Sequence, residues 1–157
     1  MITQEMSFGK LLCATIRSAD RRLANSGGVA RKYGISPVGV EMVCSILSEG
    51  WDAFEELAGR IKEGYIPWTT GIGAVFGVAA LPTAIVEAAM GKVRKSLSFW
   101  GGDEKVVRNM YDNKNLILAI HIIGNSKLSE YARFQSNESK IQNLKNEIVE
   151  EIVNNQL

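Results

Sequence analysis

Residues 36–61, SPVGVEMVCSILSEGWDAFEELAGRI, carry the pattern that decides the fold. Ser36 can cap a helix by accepting a hydrogen bond from an otherwise unused backbone N–H. Pro37 suits the first helical position, where no amide donor is needed. Beyond them Val40, Val43, Leu47, Trp51, Phe54, Ala58 and Ile61 step by three and four, the period of one apolar helix face. The spacing predicts one helix of about six turns. Gly50 falls in its middle as a bend, costing about 1 kcal/mol relative to alanine.

Helical spacing extends in both directions from this segment. Upstream, Phe8, Leu11, Leu12, Thr15, Ile16, Ala19 and Leu23 form a stripe, with Lys10, Arg17, Asp20, Arg21 and Arg22 largely outside it. Asn25-Ser26-Gly27-Gly28 ends that helix, because glycine accepts the left-handed conformation a helix stop often needs. Downstream, Ser98 to Gly102 reads as a break, and Asp103 can cap a helix through Val106, Val107, Met110 and Tyr111. The run from Asn115 to Gly124 is rich in branched residues and permits a strand. It has no second strand to pair with and is read as a buried helix. Ser139 to Leu157 is amphipathic, with Ile141, Leu144, Ile148 and Ile152 on one face. It is too short to define a coiled coil, so it docks on the body or pairs with another chain. There is no internal repeat and no long linker. The expectation is all-α: one domain over 1–157, a compact bundle of five or six helices around a central hydrophobic, Gly-rich helix at about 66–90.

That central helix comes from Gly64 to Val86, GYIPWTTGIGAVFGVAALPTAIV, twenty-three residues without a charge. A bilayer span needs roughly 20 apolar residues. Two prolines and four glycines mark this one as a helix that bends. Gly73 and Gly77, followed by Ala80 and Ala84, are spaced so that another helix can approach closely. Trp68 near one end and Lys92, Arg94 and Lys95 beyond the other suit two membrane interfaces. From Gly71 the string GIGAVFGVAALPTAIV…KVRK resembles the lytic venom peptide melittin: GIGAV at the start, a leucine–proline hinge at Pro82, and a basic tail. It departs from melittin in having no lysine in its first half and in placing Glu87 in its second. The resemblance implies a bent, membrane-seeking helix. The competing reading is a core helix, since a helix apolar all round must be buried somewhere.

Val29-Ala30-Arg31-Lys32-Tyr33-Gly34-Ile35-Ser36-Pro37-Val38-Gly39-Val40 resembles the core of the helix-turn-helix of bacterial regulators and transposases, matching at Ala30, Gly34, Ile35, Ser36 and Val40. The resemblance implies nucleic-acid binding, with Arg21, Arg22, Arg31 and Lys32 on phosphates. Two features depart from the family. Gly27 and Gly28 fall within the would-be first helix, and Pro37 to Glu49 offers no Arg, Lys, Asn or Gln for base edges.

Composition narrows the classes. Hydrophobic content of 46% and charged content of 22% match a folded domain and exclude a polytopic membrane protein or a disordered chain. A net charge of +1 supplies no overall field for nucleic acid. The start, MITQEMSFGKLL, does not read as a signal peptide. Cys13 and Cys44 sit in apolar helical patterns. One disulfide between them is compatible with the sequence, but two cysteines make no framework and a reducing, cytoplasmic setting is expected. His121 is the only histidine and reads as a core residue. Cys13 with His121, oriented by Asn125 or Asp112, can be drawn as a nucleophile and base, and no local signature supports it. No catalytic residue, metal or cofactor is assigned. The leading expectation is a membrane-associating effector or toxin-like protein that offers Trp68, Gly73, Gly77, Pro82, Lys92, Arg94 and Lys95 to a lipid bilayer, a protein partner or copies of itself. The alternatives are a helix-turn-helix nucleic-acid binder and a soluble scaffold or adaptor.

Overall fold

The computed structural model describes residues 3–62 and 112–155. Six α-helices lie there: α1 (Gln4–Arg22), α2 (Gly28–Tyr33), α3 (Pro37–Glu49), α4 (Trp51–Lys62), α5 (Lys114–Phe134) and α6 (Glu138–Asn154). A short 3-10 turn, Ala24–Ser26, precedes α2, and no strand occurs among the described residues. The chain is an all-α bundle. The expected hydrophobic helix at 66–90, the break at 98–102 and the helix begun by Asp103 lie outside the described residues.

Local chemistry sets the helix ends. Ser36 accepts from the Gly39 amide at 3.0 Å, with Pro37 in the first turn, as the sequence predicts. Asn137 caps α6 by accepting from the Lys140 amide at 3.1 Å. Asp20 of α1 accepts from the Val29 amide at 2.9 Å, so an acidic residue on one helix satisfies a free donor at the start of another.

The expected single helix over residues 36–61 is two. Gly50 adopts φ 136° and ψ 147°, a conformation that favours glycine and that no helix accommodates. Its N–H closes on the Leu47 carbonyl at 3.1 Å, and its carbonyl takes the first bond of α4, from the Phe54 amide at 3.2 Å. The apolar stripe is nevertheless buried on both sides of the break, at Val40, Val43, Leu47, Trp51, Phe54 and Ala58. Period alone cannot distinguish a bend from a stop, because both keep the same residues on the core side.

Burial on α3 is wider than one stripe. Met42, Cys44 and Ile46 are buried as well, since α1, α2, α4 and α5 all pack against this helix. Each fully buried aliphatic side chain contributes roughly 1.5–3 kcal/mol. The buried residues of all six helices form one hydrophobic cluster.

Helix α1 touches every other described helix. It runs antiparallel to α3, with Gly9 opposite Leu47, Cys13 opposite Cys44 and Arg17 opposite Glu41. Helix α5 covers the ambiguous run and continues ten residues past Gly124 to Phe134, burying Leu116, Ile117, Ile120 and Ile123. Ile122 is 63% exposed, so the run has an outer side after all. Helix α6 docks on α1 and α5 of its own chain through Leu144, Ile148, Val149 and Ile152, the first of its two expected placements. Tyr33 anchors the assembly: its hydroxyl donates to the Ile152 carbonyl at 2.8 Å, and its own carbonyl accepts from Asn115 at 3.0 Å.

Candidate functional site

Three settings concentrate polar chemistry. The first is the seam between α1 and α3. Helix axes usually stand 8–10 Å apart, set by the side chains between them. Here Gly9 has no side chain, and a Cβ built on it would lie 1.9 Å from the Leu47 carbonyl oxygen. One turn along, the Cys13 Sγ donates to the main-chain carbonyl of Cys44 at 3.0 Å and lies 3.5 Å from the Ser48 hydroxyl. Ser48 in turn donates to the same carbonyl at 2.9 Å. A further turn along, Arg17 bonds Glu41 through both guanidinium nitrogens, at 3.1 and 3.3 Å. That pair is about half exposed, which limits its contribution to roughly 0.2–1 kcal/mol.

The neighbouring Cys44 side chain, opposed by burial and aided by the Ser48 hydroxyl and the Arg17 charge, holds the Cys13 thiol at about 7. The Cys13 side chain, together with burial and the charge Cys13 acquires, pushes the Cys44 thiol well above its ordinary range. Of the two, Cys13 ionises first. Both are free thiols.

The second setting surrounds His121. Its Nε2 lies 3.2 Å from the Asn125 amide nitrogen, and its ring lies 6.0 Å from that of Trp51. The nucleophile–base pair drawn from the sequence is therefore not assembled: Cys13 bonds to α3, and His121 bonds within α5. His121 is buried, as the core reading expects.

The third setting bears on nucleic acid. Arg21 and Arg22 line a groove of about 440 Å3 between α1 and α6, together with Gln142, Lys145, Asn146 and Glu150. Arg22 is paired with Glu150, and Arg21 donates to the Ser18 hydroxyl at 3.1 Å. Arg31 and Lys32 belong to α2 and do not line that groove. The Arg31 stem packs over Gly27, and the Lys32 ammonium stands 5.9 Å from the Tyr33 ring. In the turn between α2 and α3, Gly34 takes the left-handed conformation, at φ 67°. Its second helix is enclosed, however. The outward positions of α3 are Pro37, Val38, Glu41 and Ser48, and none of them is a donor of the kind that reads bases.

Trp68, Gly73, Gly77, Pro82, Lys92, Arg94 and Lys95 lie outside the described residues. Among the described residues no helix is long and apolar enough to cross a membrane, and no cluster of metal-ligating side chains occurs. Compared with protein-family models, with curated proteins and with solved structures, the chain matches none of them.

The sequence reads the two cysteines as small hydrophobes and leaves one disulfide between them open. The signal that joins them was present in Gly9 with Cys13 and Cys44 with Ser48, two pairs of small residues four apart on facing helices. Lys127 was also missed. Its ammonium reaches Glu147 at 3.2 Å, Glu151 at 3.8 Å and Glu130 at 4.0 Å, clamping α5 to α6. Burial opposes its charge, but the carboxylates outweigh burial and hold the group above its ordinary value.

Proposed function

We propose that this chain is a membrane-associating helical protein of the effector or toxin-like kind, whose bundle carries the segment 64–86 to a lipid bilayer or to a second copy of itself. The observation that carries this reading is the twenty-three-residue uncharged stretch followed by Lys92, Arg94 and Lys95. Apolar length matches hydrocarbon thickness, and cations at its end match phosphate headgroups. In this reading Trp68 and the three basic residues meet the interfaces, Pro82 bends the segment, and Gly73 and Gly77 admit a second helix.

Val78→Asp tests it. A carboxylate near the middle of an inserted helix opposes insertion by about 2.5–3.5 kcal/mol, so vesicle leakage and flotation should both fall. A buried core position would also suffer from that charge, and Gly77→Leu separates the two cases. Against lipid, leucine is tolerated; at a close helix crossing it overpacks by roughly 1–3 kcal/mol. The expected result is lost self-association with lipid binding intact. A wild-type protein that stays monomeric, leaks no vesicles and floats with none overturns the reading. If it is instead retained on DNA at low salt, and released as salt rises, the nucleic-acid alternative replaces it.

A further inference from the structure

We propose that Cys13 and Cys44 are a peroxide-responsive dithiol that closes to an intrachain disulfide between α1 and α3 and is reopened by a dithiol reductant. The Cys13 Sγ already stands 3.0 Å from the main-chain carbonyl of Cys44, the residue opposite it on the facing helix. A disulfide needs Cα atoms within about 7 Å, closer than helices separated by ordinary side chains allow. Gly9 removes the spacer one turn away, and Ser48 is the small residue one turn beyond Cys44.

The roles of the two thiols differ. Cys13 has three neighbours that favour its thiolate: the Cys44 thiol, the Ser48 hydroxyl and the Arg17 guanidinium. It is also the more exposed, at 8% against 3%. Cys13 is therefore the attacking thiol and Cys44 the resolving one. The Cys13 thiolate attacks one oxygen of hydrogen peroxide and the O–O bond breaks. The departing hydroxide takes up the proton Cys13 released, giving water and a Cys13 sulfenic acid. The Cys44 sulfur then attacks the Cys13 sulfur and the S–O bond breaks. The second hydroxide leaves as water with the Cys44 proton. The two thiols lose two electrons to one peroxide, which becomes two waters.

The test uses the full chain, reduced and then exposed to a small excess of hydrogen peroxide. Both free thiols should disappear, and the mass should fall by two hydrogen atoms. After tryptic cleavage, residues 11–17 should be joined to residues 33–60. The cross-link restricts the unfolded chain, so the melting temperature should rise by about 5–15 °C and return on treatment with dithiothreitol. Cys44→Ser should stop at the sulfenic acid, trapped by a 1,3-dione, with no rise in melting temperature. The inference is overturned if both thiols persist under peroxide that oxidises free cysteine. It is equally overturned if the product is a sulfinic acid or a disulfide-linked dimer. Should Cys44→Ser fail to fold, the joined peptides and the reversible melting shift of the wild type decide the matter.

Discussion

Gly9→Ala is expected to destabilise the fold by about 3 kcal/mol, the upper end of ordinary overpacking. Helix propensity alone predicts the opposite sign, since alanine is favoured over glycine inside a helix by roughly 1 kcal/mol. Geometry decides between them. The new Cβ would lie 1.9 Å from the Leu47 carbonyl oxygen and 3.0 Å from its carbon, and both atoms are main chain that no rotamer change can move. Helices α1 and α3 would have to part, and with them Phe8, Leu12, Ile46 and Leu47, all buried at their junction. Gly59→Ala is the control. Gly59 is also helical, but a Cβ there meets nothing within 4 Å among the described residues, so this variant should gain roughly 0.5–1 kcal/mol. Denaturant midpoints of the two variants should shift in opposite directions. A midpoint for Gly9→Ala at or above the wild type would refute the close crossing of α1 and α3.

Trp51→Ala is expected to cost about 3–5 kcal/mol, the range for emptying a large aromatic site in a core. The ring is 2% exposed and joins three helices. It meets Phe8 edge-on at 5.3 Å and 72°, lies 5.5 Å from Phe54, and stands 6.0 Å from His121. Gly124 forms its floor: a Cβ there would come within 2.2 Å of the ring, so Gly124→Ala should also destabilise, by about 1–3 kcal/mol. Its indole Nε1–H has no hydrogen-bond partner among the described residues, a burden that phenylalanine would remove. Trp51→Phe should therefore cost distinctly less than Trp51→Ala. Thermal melts check the order, and an unchanged melting temperature for Trp51→Ala would place that ring on a surface.

The helical class was legible wherever apolar residues recur at three and four. Phe8, Leu12 and Ile16 on α1, and Leu144, Ile148 and Ile152 on α6, are buried as their spacing predicts. Ser36 and Pro37 marked the start of α3, because a cap is chemistry between neighbours in sequence. The break at Gly50 was not legible. Glycine tolerates many conformations, and only the packing of α4 against the rest selects the one observed. The reach of Asp20 to the start of α2 and the grip of Lys127 on Glu147 and Glu151 were hidden for the same reason. Each joins residues that sequence spacing does not relate.

The candidate chemistry divides along the same line. The uncharged stretch from Gly64 to Val86, and the basic residues beyond it, are properties of composition and need no fold to be seen. Composition likewise read Cys13 and Cys44 as two small hydrophobes, with a disulfide between them only compatible. Antiparallel packing of α1 on α3 turned them into a contacting pair, because the missing side chain at Gly9 lets one helix approach the main chain of the other. Local propensity and period act over a turn or two of helix, and by themselves they determined the helices and most of their buried faces. Which faces meet, how closely, and which thiol ionises first depend on atoms brought together from distant parts of the chain, and only the tertiary structure decided those.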